Sequence, residues 1–283
     1  MFRGRVVAVV IPACNEADKI AATIRSVPGF VDHVIVVDDG SSDGTVAIAS
    51  RAARRSAGRE RLAPPASDPL APRSGERVRE RGRVEVILHE RNRGVGAAIA
   101  TGYARALALG AHATAVMAGD GQMDPADLPR LLAPVVSGDA DYAKGNRFAW
   151  PGGWRTMPPV RLVGSLVLSW LTRLASGCGK VGDSQCGYTV ASPRALRAIG
   201  ADLYPRYGYP NDLIARLAAA RLRVVDVPVR PVYGPRWRSG LRPLRVAPTI
   251  AWLLLRALCR RVRARWRGTP VAVDEAARVV APS

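Results

Sequence analysis

The stretch VMAGDGQMDP, residues 116–125, sets two carboxylates, Asp120 and Asp124, in a glycine-rich turn between an apolar run and a helix-like one. Carboxylates in such turns hold hard, oxygen-seeking cations such as Mg²⁺ or Mn²⁺. Two positions before Asp120, where a second carboxylate would complete an Asp-x-Asp clamp, stands Ala118. The turn is therefore a metal–phosphate site short of one ligand, or an acidic loop in which Asp124 caps the helix opened by Pro125. Asp38 and Asp39 pose a related question. Adjacent carboxylates at a strand end repel, and a cation or ribose hydroxyls would offset that; Asp43, in SSDGT, reads as turn and cap chemistry. Lys144, Arg147 and Arg161 are cations of the kind that meet phosphates, with arginine's fork suited to two oxygens at once.

These residues need elements to position them. VVAVVIP (6–12), HVIVVD (33–38), VEVILHE (84–90) and ATAVMAG (113–119) are β-branched or apolar runs of the kind buried on both faces of a parallel sheet. Helical spacing follows in 15–27, 94–110, 160–177 and 208–222, with a further strand at 223–234. Strand–helix alternation predicts an α/β fold with a mostly parallel, doubly wound, Rossmann-like sheet. Ligands of such sheets bind beyond the carboxyl ends of the strands. The loops at 12–16, 38–45 and 119–125 all fall at that edge.

The chain has 283 residues and a net charge of +19, unevenly spread. Residues 51–83 hold ten Arg against four acids, and residues 236–267 hold ten Arg and no acid, leaving the rest close to neutral. Residues 56–82 are rich in Pro, Arg and Ser and read as a disordered insertion. They carry no interleaved aromatics for base stacking, so no nucleic-acid partner is expected. The stretch 248–267 is apolar in its first part and arginine-loaded in its second. It reads as a helix of a basic amphipathic segment, 236–267, lying on an anionic membrane surface with Trp252 and Trp266 as anchors; the plain alternative is a terminal helix packed on the domain. Residues 268–283 read as a tail. Cys14, Cys178, Cys186 and Cys259 form no CxxC pair, which favours free thiols in a reducing compartment. The short apolar run at the N-terminus reads as a first strand rather than a signal peptide, and no stretch suggests a spanning helix.

In order along the chain, VVIPACNEADKI, VIVVDDGSSDGT, RNRGVGAAIATG, AGDGQMDPADL, KGNRF and GDSQCGY resemble the motifs of family 2 glycosyltransferases of the GT-A fold. The branch they resemble acts on dolichyl or polyprenyl phosphates. The likeness covers roughly residues 5–240 apart from the insertion and implies a single GT-A domain over 1–235. It implies that Pro12, Cys14, Glu16 and Asp39 line the nucleotide-sugar pocket. In the family's Asp-x-Asp-x-Gln pattern Ala118 takes the first Asp, so Asp120 and Gln122 become the metal ligands. The resemblance further implies that Lys144, Arg147, Arg161 and Asp183 face the acceptor phosphate or the leaving diphosphate. Asp120, Arg147 and Asp212 are the expected catalytic residues, with Asp212 equally able to cap a helix. His33, His89 and His112 show no ligand spacing and read as structural.

The implied reaction is an inverting, Mg²⁺- or Mn²⁺-assisted transfer from a nucleotide sugar to polyprenyl phosphate at the cytoplasmic face of the membrane. The alternatives are transfer to a hydroxyl of a glycan or glycolipid, and a non-catalytic nucleotide-sugar or membrane-binding homologue. A dinucleotide-dependent oxidoreductase is disfavoured, because no GxGxxG follows the first strand.

Overall fold

The structure is a computed structural model that describes residues 1–60, 83–232 and 243–266. Its elements are β1 (Val7–Ala13), α1 (Ala17–Ser26), β2 (His33–Asp38), α2 (Thr45–Glu60), β3 (Arg83–Leu88), α3 (Val95–Ala108), β4 (Ala113–Val116), α4 (Leu128–Val136), β5 (Tyr142–Asn146), α5 (Pro159–Ser176), β6 (Thr189–Ala191), α6 (Pro193–Ile199), α7 (Tyr209–Ala219), β7 (Val224–Pro228) and α8 (Pro243–Trp266). Short 3-10 turns cover Pro125–Asp127 and Gly153–Thr156.

Among the described residues seven strands form one sheet in the order β3-β2-β1-β4-β6-β5-β7. Only β6 runs antiparallel to its neighbours. The mostly parallel, doubly wound α/β sheet is the one the apolar runs predicted. β1 is central and buried along its whole length. Its odd residues Val7, Val9, Ile11 and Ala13 face a core with α1, α2 and α4. Ala8 and Val10 face the opposite core with α3, α6 and α7. This is the period-two alternation of a strand with two dry faces. On one of those faces α3 comes so close that a Cβ on Gly102 would collide with Val10.

Strand order reverses between β1 and β4, and the loops that follow these two strands flank the crevice that the reversal opens. The loops carry Cys14 and Glu16 on one side and Asp120 and Gln122 on the other.

Two expectations fall partly outside the described residues. α2 continues through residues 56–60, so the first residues of the expected insertion are helical, and 61–82 lie outside the description. The tail 268–283 also lies outside it. α8 begins at Pro243, earlier than the helix expected from 248, and packs on both α5 and α7. No helix among the described residues is long and apolar enough to cross a membrane.

The attachment of α8 is partly ionic, and it uses a residue expected to be catalytic. Asp212, in the first turn of α7, is only 3% exposed. One oxygen accepts from Arg256 of α8 at 2.5 Å, and the other from Arg216 Nε at 3.0 Å and the Tyr204 N–H at 3.1 Å. Asp212 is thus a clamp between α7 and α8, not a base or a helix cap; Gly208 occupies the cap position. Asp212→Asn should cost about 3 kcal/mol, because it leaves two arginines without their shared counter-charge. Urea unfolding of the full chain measures it. A midpoint equal to that of the unsubstituted protein would show the clamp to be dispensable.

Candidate active site

The loop after β1 and the loop after β2 are stitched together. Asn15 adopts a left-handed conformation, and its side-chain oxygen accepts from the Ser42 N–H at 2.9 Å. The Asn15 N–H donates to Ser41 Oγ, and the Glu16 N–H to Thr45 Oγ1. Asp43 accepts from the N–H and hydroxyl of Thr45 and from the Ala17 N–H, which is turn and cap chemistry. Those hydrogen bonds to Thr45 hold its carboxyl below the ordinary value. Asp38 is likewise occupied by the N–H and hydroxyl of Ser41.

Asp39 is buried. Its Oδ1 meets His89 Nδ1 at 2.8 Å and the Arg93 N–H at 2.8 Å, while Oδ2 accepts the Gly94 N–H at 2.7 Å. His89 Nε2 in turn meets Thr101 Oγ1 at 3.0 Å. Asp39, expected as a nucleotide contact, holds the β3–α3 loop in place and so positions Arg91, Asn92 and Arg93, all exposed, over the crevice. Asn92 Nδ2 reaches Cys14 Sγ at 3.2 Å, which joins that loop to the one after β1. The N-terminus of α3 is not open to a phosphate. Its Gly96 N–H donates to the Pro205 carbonyl at 2.7 Å, and a side chain at Gly96 would strike the Tyr204 carbonyl.

Across the crevice, Asp120 Oδ1 accepts the Gln122 N–H at 3.0 Å. Oδ2 of Asp120 has no partner among the described residues. Desolvation first, and the facing charge of Asp120 among lesser causes, raise the Glu16 carboxyl above its ordinary value. The loops after β1 and β4 thus bring Glu16 and Asp120 to one edge of the sheet, at its switch point. That donor set fits a divalent cation as a partial cage: Asp120 and the Gln122 amide would hold it, with diphosphate oxygens and water completing the shell. No group of three or more His, Cys, Asp or Glu side chains that could hold a metal lies among the described residues. Ala118, where the second carboxylate would stand, directs its N–H to Met123 Sδ at 3.2 Å. Asp124 is outside this set; it accepts from the Ala126 N–H as a cap and from Arg230 Nη1 at 2.9 Å.

The cations and acids expected on the acceptor side are paired with each other. Arg147 Nε and Nη2 grip Asp183 at 2.6 and 3.0 Å, and Asp183 is 0% exposed. KGNRF and GDSQCGY are therefore two halves of one buried fork-and-carboxylate pair, and Asp183 cannot reach a ligand. Lys144 is also buried, so its ammonium cannot contact a phosphate. It donates to the Cys186 carbonyl at 2.6 Å, and burial lowers its pKa. Arg161 sits, half-buried, in the first turn of α5.

Two residues here escaped the sequence reading. Asp226, inside the apolar run VVDVP, accepts from Asn146 Nδ2 at 2.7 Å and the Gly182 N–H at 2.5 Å, while its Oδ1 is buried without a partner. Burial pushes its carboxyl up to about 6. Tyr209, the first residue of α7, has its pKa raised by burial first, then by Tyr103 and Cys186, with the Asp120 charge as a lesser cause. Its position just after Gly208 was the only available signal.

Residues 8–64 and 67–200 match the family described as Glycosyl transferase family 2. The chain is 29% identical over 231 residues to the UDP-N-acetylglucosamine–dolichyl-phosphate N-acetylglucosaminyltransferase of Methanococcus voltae, covering 81% of this chain and 86% of that one. It is 32% identical to the polyprenol monophosphomannose synthase of Mycolicibacterium smegmatis, covering 78% and 75%. With the undecaprenyl-phosphate mannosyltransferase of Micrococcus luteus it shares 30% identity, covering 78% and 81%. The fold is that of glucosyl-3-phosphoglycerate synthase from Mycobacterium tuberculosis, solved with Mn²⁺, UDP and glucosyl-3-phosphoglycerate. That likeness has a TM-score of 0.59 at 23% identity, over 91% of this chain and 80% of that one. Six motifs in order, a GT-A sheet and a matching family over most of the chain converge: the protein belongs to glycosyltransferase family 2 and is an enzyme of that class.

Proposed function

We propose that the protein moves a sugar, with inversion, from a nucleotide-sugar donor to a polyprenyl phosphate at the cytoplasmic face of the membrane, held there peripherally by its basic segment 236–267. The three relatives named above support the acceptor class. The observation that carries this reading is the fate of the acids on the acceptor side. A hydroxyl acceptor needs a general base. Asp183 and Asp212, the acids expected there, are both buried in arginine pairs. A phosphate monoester is already anionic near neutral pH and needs orientation, not deprotonation.

In this reading Pro12, Cys14, Glu16 and the Arg91–Arg93 loop line the nucleotide pocket, and Asp120 and Gln122 face the diphosphate. Arg147 is fixed in one orientation by its grip on Asp183, and Arg161 opens α5 on the acceptor side. A divalent Mg²⁺ or Mn²⁺ supplies Lewis-acid neutralisation of the departing diphosphate when bound. Preorganised arginines add charge stabilisation where it develops, as the sugar takes on oxocarbenium character.

Incubating the full chain with a panel of nucleotide sugars and undecaprenyl phosphate tests the reading. A charged glycolipid from at least one donor is expected. Transfer only to prenols or glycan hydroxyls, or no transfer at all, would overturn it. Asp120→Ala should lower turnover by about 10²-fold or more, as loss of a group aimed at the leaving charge does; undiminished turnover would remove Asp120 from the site. Ala118→Asp restores the second carboxylate. It should tighten Mn²⁺ binding to the nucleotide-free enzyme by about tenfold, read by calorimetry, since affinity follows ligand charge count. The unsubstituted enzyme should bind Mn²⁺ weakly until nucleotide is added.

A further inference from the structure

β7 carries an aspartate where the strand calls for an apolar residue. Asp226 lies in Val224–Pro228, and the other four residues of that strand are buried. Asp226 Oδ1 is buried without a partner among the described residues, which costs free energy that a valine would not. The other oxygen accepts twice, from Asn146 Nδ2 at 2.7 Å and from the Gly182 N–H at 2.5 Å. These two donors immediately precede the two members of the buried fork, Asn146 before Arg147 and Gly182 before Asp183.

Each donor sits in backbone that is fixed in its turn. Asn146 Oδ1 accepts from the Phe148 N–H at 3.0 Å and the Ala149 N–H at 3.1 Å, which wraps the chain around Arg147. A Cβ on Gly182 would lie 2.2 Å from Asn146 Nδ2 and 2.8 Å from Asp226 Oδ2, so a side chain there would force the contact apart. Arg147 gives Asp183 its own N–H at 3.3 Å as well as its guanidinium. Lys144, opposite Asp226 in the β5–β7 register, donates to the Cys186 carbonyl, and its charge favours the Asp226 anion. The end of β5, the loop before β6 and the middle of β7 are thus closed into one polar unit. Joining β5 to the loop before β6 does not require Asp226, because the fork already does that. A second hold on the residues that precede both partners removes the fork's freedom to turn as a body. A group that must meet phosphate oxygens at a fixed angle needs that hold.

We propose that Asp226 is a positioning residue for Arg147: by holding Asn146 and Gly182 on one oxygen, it fixes the direction in which the guanidinium meets phosphate. The proposal rests on the reading above, in which Arg147 faces a phosphate of the reaction. That phosphate belongs either to the acceptor or to the leaving diphosphate, and the two are separable by kinetics.

Two variants of the full chain test it. Asp226→Asn keeps the shape and removes the charge, while Gly182→Ala keeps every charge and wedges the contact apart. Both should melt close to the unsubstituted protein. In proton–nitrogen correlation spectra the Arg147 Nε–H resonance, assigned as the one that Arg147→Lys deletes, should shift or broaden in both. In turnover with nucleotide sugar and undecaprenyl phosphate, kcat/KM should fall by about tenfold or more for one substrate, as a misaimed group costs. A fall confined to undecaprenyl phosphate assigns the guanidinium to the acceptor, and one confined to the nucleotide sugar assigns it to the leaving diphosphate. Arg147→Lys/Asp226→Asn should be no slower than Arg147→Lys alone, because the two residues act as a unit. An unmoved resonance would overturn the proposal, as would equal falls for both substrates or additive losses in the double variant. Failure of both variants to fold would make Asp226 purely structural and overturn it too. Where Arg147→Lys leaves turnover intact, or no donor yields glycolipid, the function proposed above fails instead, and a moved resonance leaves Asp226 as the group that holds the arginine.

Discussion

Burial of β1 on both faces constrains everything else in this molecule. A strand with apolar cores above and below it has no room for polar side chains along its length. Chemistry can enter only where the strand stops, and β1 stops at the point where the sheet changes winding direction. The first polar groups past Ala13 therefore meet the first polar groups past β4 across a crevice that the topology opens. Glu16 and Asp120 stand at one edge there because the backbone pairing of β1 with β4 ends both strands at one height.

A second layer of buried polar contacts holds the loops that leave this edge. Asp39 and His89 pin the β3–α3 loop, and the Pro205 carbonyl closes the N-terminus of α3. The Arg147–Asp183 fork joins the end of β5 to the loop before β6. Each is a costly group to bury unless fully partnered, and each has its partner in a different element. The loops are consequently fixed by chemistry rather than by packing alone.

Much of the scaffold was legible in the sequence because apolar periodicity reports burial directly: β1, β2 and β4 are plain in their β-branched or apolar runs, and the glycine-rich loops mark their ends. The partnering of charges was not. Nothing local tells that an arginine meets an aspartate 36 positions away, so the pairing of Arg147 with Asp183 was not legible. Asp212 misled for the same reason, its partner Arg256 lying 44 positions downstream. Lys144 sits in a stretch polar enough to look exposed, yet in the fold it lies in β5, every residue of which is buried. α5 showed a wide apolar face in the sequence, but its direction depends on which face finds hydrogen-bond partners, and those lie on the loop before β6 and on α7.

α7 packs into the α3-side core through Leu213, Ile214 and Leu217 and carries α5 and α8 on its other side. In its first turn Asn211 accepts from Thr172 of α5 and Asp212 from Arg256 of α8. These two bonds, on adjacent residues of a helix of 11, fix both neighbours to one rigid support. Whatever α8 and α5 rest on, its distance from the sheet is set by the packing of α7 and not by loop motion, so a reactant anchored there would present its reacting end at one depth.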